Sequence, residues 1–130
     1  MVLSSWLKNN HKFMFKFEEL RVYQEALEFT DEIYTITSKF PREEMFGLTN
    51  QLRRSAVSIA LNISEGTSRT KKDFCHFLDI ARGSCYESVA NLTISKKRTY
   101  LSEMDFKQAY AKCEMLSKML SKLKSSLQLP

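Results

Sequence analysis

The sequence predicts an all-α protein, an antiparallel up-and-down four-helix bundle. Three observations carry that expectation. Apolar residues recur at alternating steps of three and four through four long stretches. Short segments with Pro, Gly, Ser or Thr separate those stretches. Only three Gly and two Pro occur in 130 residues, too few for a sheet rich in tight turns. A chain of this length makes one domain.

Helix one is predicted over Leu20–Lys39. Tyr23, Leu27, Thr30, Tyr34 and Thr37 form its stripe, widened by Ala26, Ile33 and Phe40. Pro41 ends it, because proline restricts the preceding residue and has no N–H to donate. The same proline opens helix two, expected over Glu43–Glu65 with Glu43 and Glu44 at its positive end. Its stripe is Leu48, Leu52, Ser55, Ile59, Asn62 and Gly66, broadened by Ala56, Ala60 and Ile63. The run "SAVSIALNIS" is small or β-branched almost throughout, which lets a partner helix come close.

Gly66 is expected as a left-handed C-cap. Thr67, Ser68 or Thr70 then caps helix three, with Asp73 three residues beyond Thr70. Helix three spans Lys71–Thr99, with Phe74, Leu78, Ala81, Cys85, Ser88 and Leu92 inward. Lys96, Lys97 and Arg98 suit the negative end of its dipole. Helix four spans Glu103–Leu127 after the cap "SEMD". Its stripe is Phe106, Tyr110, Cys113, Leu116, Leu120, Leu123 and Leu127. Residues 17–127 therefore form the bundle. Residues 1–16 are a poorly ordered or loosely packed extension and 128–130 a tail. Met14 opens "MFKFEEL" and is a candidate start. Apolar stripes wider than one seam point to a homo-oligomer.

Composition narrows the function. No run approaches 18 apolar residues, so no membrane span is expected. The N-terminal stretch has no long apolar core and makes a poor signal peptide. Three widely spaced cysteines do not form a disulfide scaffold, and a reduced, cytoplasmic setting is expected. Without export, the Asn62 and Asn91 sequons are not expected to carry glycans. The net charge is +5, and the excess is all in residues 41–130, with 15 Lys+Arg against nine Asp+Glu. That charge permits contact with nucleic acid; a solvated helical surface gives the same count.

No catalytic, metal or cofactor site is expected. Cys75 and His76 are adjacent and diverge around a helix, Cys85 is ten residues on, and His11 lies in the extension. "ARGSCYE" lacks the strand–turn–helix setting of a nucleophile elbow, and no glycine-rich phosphate loop occurs. The polar positions of helices two and three are candidates for a network or an interface: Arg53, Arg54, Asn62, Glu65, Arg69, Arg82 and Glu87. A ligand-facing surface and mere solvated charge are the alternatives. An inward charge must be paired or wet. Candidate phosphate contacts are Lys71, Lys72, Lys96, Lys97, Arg98, Lys118 and Lys122.

Two long patterns also carry a resemblance. "FPREEMFGLTNQLRRSAVSIALNISEGTSR" and "DFCHFLDIARGSCYE" resemble the four-helix-bundle family of 23S rRNA intervening-sequence proteins, also called the S23 ribosomal protein family. The likeness covers Phe17–Leu123. Leu61 and Ser64 depart from the family's more usual "AANIAEG". The resemblance implies a small antiparallel bundle, assembly as a homopentamer, and no catalytic residue to transfer. In fold and assembly it is also similar to the basic accessory protein of diversity-generating retroelements, which is associated with nucleic acid. The function expected is thus a non-enzymatic homo-oligomer that binds RNA or DNA through basic surfaces. The alternative is a structural or protein-interaction oligomer without a nucleic-acid role.

Overall fold

The computed structural model describes residues 13–128, and four helices account for most of them. These are α1 (Arg21–Thr37), α2 (Leu48–Gly66), α3 (Lys71–Lys97) and α4 (Glu103–Leu127). Short 3₁₀ turns at Lys16–Glu19 and Arg42–Glu44 precede α1 and α2. Residues 1–12 of the expected extension, with His11, and residues 129–130 of the tail lie outside the described residues. Each helix packs on its sequence neighbours, and α1 closes the bundle on α4. The chain is therefore an up-and-down four-helix bundle, with no strand among the described residues. None of the described helices is long and apolar enough to cross a membrane.

The core follows helical spacing. Phe29 and Ile33 of α1, Leu52, Ile59 and Ile63 of α2, Leu78 and Leu92 of α3, and Leu116 and Leu120 of α4 are all fully buried. Each such side chain contributes about 1.5–3 kcal/mol by leaving water. On α1 the expected Ala26, Ile33 and Thr37 are buried, but Val22, Phe29 and Ile36 complete the stripe in place of the Tyr23–Tyr34 line. That line is turned toward solvent by about one residue, and Tyr34 is 45% exposed. On α4, Tyr110 likewise leaves the core while Ala109 enters it.

The seam between α2 and α3 is the most extensive. The small residues permit this. The Ser55 and Ser88 hydroxyls share a hydrogen bond of 2.8 Å, and Ser84 Oγ donates to Ser58 Oγ at 2.9 Å. Buried hydroxyls so close must pair, since an unmatched one loses its water without compensation.

The helix ends differ from expectation in two places. Gly66 is not a left-handed cap; no described glycine has positive φ. It is the last residue of α2 and is buried, because α3 returns directly across it. A Cβ there would lie 2.6 Å from Phe74 Cδ1 and 3.0 Å from Phe77 Cβ. The left-handed residue is instead Thr99, at φ 64°. The Tyr100 N–H bonds the Ser95 carbonyl at 3.0 Å and the Thr99 N–H that of Lys96 at 2.9 Å. This is a Schellman closure of α3.

The start of α2 is also later than predicted. The Glu44 carboxylate reaches forward and accepts from the Leu48 N–H at 3.1 Å, and its other oxygen accepts from the Tyr100 hydroxyl at 3.1 Å. One side chain thus caps α2 and ties it to the α3–α4 loop. The other two caps are as expected: Thr70 accepts from the Asp73 N–H and Ser102 from the Asp105 N–H.

Candidate interaction surfaces

The corner at residues 62–69 is held together mostly by its own polar groups. Asn62 Nδ2 donates to the Ser58 carbonyl at 2.8 Å and to Ser58 Oγ at 3.0 Å. Glu65 and Arg69 pair at 2.9 Å, one helical turn apart, and the Arg69 guanidinium sits 5.4 Å from the Phe77 ring centre. The corner therefore spends its side chains on closing α2 against α3.

The remaining polar positions separate. Arg82 leans along α3 to the Tyr86 hydroxyl at 3.3 Å and does not reach Glu65. Glu87 is exposed and makes no ion pair among the described residues. Within one chain the seven positions are thus not one network. They distribute over the corner, the outer face of α2 and the outer face of α3.

The outer face of α2 carries a groove of about 640 Å³ lined by Tyr34, Arg53, Arg54, Val57, Leu61 and Asn62, among others. Arg53 is held in place there. Its Nε donates to Thr37 Oγ1 at 2.9 Å, and its guanidinium lies 4.5 Å from the Tyr34 ring centre. Stacking and a fixed Nε leave the rest of the fork directed by geometry rather than free to wander. Arg54 is exposed beside it, and neither arginine pairs with a carboxylate among the described residues. The sequence did not single out Tyr34 for this role; its spacing reads as core.

A second groove, of about 560 Å³, runs between α3 and α4. Cys85, Val89 and Cys113 line it beside Tyr86 and Tyr110, with Arg82, Glu114 and Lys118 also at its walls. Burial pushes the Cys85 thiol up to about 12, and burial pushes Cys113 up as well. Both thiols stay protonated at neutral pH and behave as small apolar groups. Among the described residues no group of three His, Cys, Asp or Glu side chains converges to hold a metal.

The basic groups lie at both ends of the bundle. Lys71 and Lys72 flank the α4 C-terminus with His76 and Lys124, and Lys124 is already paired with Asp79 at 2.9 Å. At the other end Lys96 pairs with Glu103 at 2.9 Å and lies 4.5 Å from the Phe106 ring centre. Arg98 lies over Tyr100, at 5.8 Å. Lys118 is 3.9 Å from Glu114. Lys71, Lys72, Lys97 and Lys122 have no ion-pair partner among the described residues.

Residues 18–122 match the family described as 23S rRNA-intervening sequence protein. The match spans the bundle from before α1 almost to the end of α4. The chain belongs to the 23S rRNA-intervening sequence protein family. A solved structure from Bacteroides thetaiotaomicron, a protein with unknown function from the S23 ribosomal protein family, has the same fold. It superposes with a TM-score of 0.74 at 24% identity, over 79% of this chain and 97% of that one. No curated protein matches the sequence. Within this 23S rRNA-intervening sequence protein, Asn62, Glu65 and Arg69 thus bond within α2 and its turn, while Asn62 and Glu65 also line the α2 groove.

Proposed function

We propose that this 23S rRNA-intervening sequence protein is a non-enzymatic helical scaffold that self-associates and binds RNA or DNA through basic surfaces. The observation that carries the nucleic-acid part is a group of cations with no ion pair among the described residues: Lys71, Lys72, Lys97, Arg98 and Lys122. They stand at both ends of the bundle. In an assembly every +5 chain adds its charge, and a modest patch becomes a charged rim. The number of copies proposed, from the family resemblance, is five.

Phosphate contacts of this kind release counterions, so binding weakens steeply with salt. Binding to structured rRNA fragments and to an unrelated duplex is expected at about 50 mM salt and to fall by orders of magnitude by about 200 mM. No binding at low salt would remove the nucleic-acid part. Salt-independent binding would remove phosphate as its basis.

A specific observation favours a second reading. Leu61, Ile80, Tyr86, Ile94 and Tyr110 are all exposed, and apolar surface in such quantity belongs to protein contacts. On that reading the chain is a structural or protein-interaction oligomer with no nucleic-acid role, and it assembles but ignores RNA and DNA.

A further inference from the structure

Helix α3 carries a second apolar stripe that the bundle does not use. Ile80, Gly83, Glu87, Ala90 and Ile94 repeat at steps of three and four on its solvent side. Ile80 is 40% and Ile94 48% exposed. A Cβ built on Gly83 meets nothing within 4 Å, so the helix surface is open at that point. Small residues between exposed isoleucines let another backbone come close. In the middle of this stripe stands one carboxylate, Glu87, with no ion pair among the described residues.

The outer groove of α2 is the reverse. It has two arginines that form no ion pair among the described residues, flanked by Tyr34, Val57 and Leu61, with Leu61 60% exposed; its one acidic lining residue, Glu65, is paired with Arg69. Arg53 is fixed by Thr37 and Tyr34, so its fork is prepared for a planar acceptor at little further cost in entropy. A nucleic-acid backbone fits this surface poorly. It would set phosphates against Val57 and Leu61 and bring them toward the Glu65 carboxylate. A helix with one central carboxylate among isoleucines and small residues matches both the charge and the apolar area.

We propose that the α2 groove of one copy docks the outer stripe of α3 from a second copy, placing that copy's Glu87 between Arg53 and Arg54. The inference rests on the self-association proposed above and assigns its contact. In a ring each copy offers its groove to one neighbour and its stripe to the other, a head-to-tail use of two different surfaces. Arg and Tyr at the centre, with aliphatic groups around them, is the composition that carries binding energy in protein interfaces.

The test is the mass of the full chain in solution by light scattering, for the parent and for charge reversals. Glu87→Lys alone, and Arg53→Glu with Arg54→Glu, are each expected to run at the single-chain mass of 15.2 kDa. Combining all three substitutions in one chain is expected to restore the parent mass, and mixing the two variants to restore association between unlike chains. Helical circular dichroism checks that each variant is folded. Where a reversal unfolds the chain, Glu87→Gln replaces it, with self-association at least about tenfold weaker. An assembled parent whose reversals keep the parent mass overturns the contact and leaves self-association standing. A parent that stays a single chain at every concentration overturns both. Loss of RNA binding in the arginine variant with no change in mass would make the groove a phosphate site and overturn the contact.

Discussion

Thr99 holds a left-handed backbone, φ 64°, at the position where helices usually place glycine. A β-branched residue there costs about 1–2 kcal/mol through contact of its Cβ with the following carbonyl. Thr99→Gly is therefore expected to raise stability by about 1 kcal/mol, read from the urea midpoint at unchanged slope. Gly66 has the opposite logic. Its φ is ordinary, but Phe74 occupies the space a side chain would need. Gly66→Ala is expected to destabilise by about 1–3 kcal/mol through forced movement of that ring, and a neutral result would show that the ring moves freely. Glu32 is a third case. Burial raises its carboxyl pKa above the ordinary 4.5, and one of its oxygens has no hydrogen-bond partner. A raised folded-state pKa makes its contribution most favourable below 4.5 and progressively lost as pH rises through the folded value. Glu32→Gln should accordingly gain in melting temperature relative to the parent between pH 4 and neutral pH, the gain growing with pH. A constant difference across that range would rule out titration of Glu32 as its cause.

At the scale of elements, Glu44 acts beyond its own turn. It caps α2 through Leu48 and holds the Tyr100 hydroxyl of the opposite loop. Glu44→Ala is expected to cost about 1–2 kcal/mol, and Tyr100→Phe part of the same loss, with a double mutant less than additive. The helices themselves were legible in the sequence, since periodicity of three and four reports a buried face directly. The Thr70 and Ser102 caps were legible too, because a hydroxyl before an acidic turn satisfies backbone donors locally. The start of α2 was not. Glu43 and Glu44 look like a first helical turn, but the carboxylate of Glu44 folds forward as a cap, and that depends on Tyr100 from 56 residues away. The face of α1 was misjudged for a similar reason. Tyr23 and Tyr34 have the spacing of core residues, yet aromatic rings with a polar tip sit equally well at a rim, and Arg53 takes Tyr34 for stacking. Of the candidate site, Arg53, Arg54 and Glu87 could be named from helical position alone. Their separation onto different faces required the packing of α2 on α3. The outer stripe of α3 was present in the sequence as a second three–four repeat, hidden beside the stronger core repeat.

The whole molecule rests on a thin core in which each layer has few large side chains. Leu120 is fully buried on α4, and Leu120→Ala is expected to cost about 2–5 kcal/mol by chemical denaturation; a cost below about 1 kcal/mol would mean the bundle closes over the cavity. Such a bundle leaves much of its apolar surface outside, in the α2 groove, the α3 stripe and the α3–α4 groove. Apolar groups and unpaired charges that face water in one chain find partners when copies meet. The proposed self-association links the fold to the basic rims that the proposed nucleic-acid contact needs. The most direct measurement is the mass of the full chain by multi-angle light scattering over a dilution series. A closed assembly is predicted, at five times the 15.2 kDa chain mass and unchanged on dilution. A species of 15.2 kDa at every concentration would contradict it.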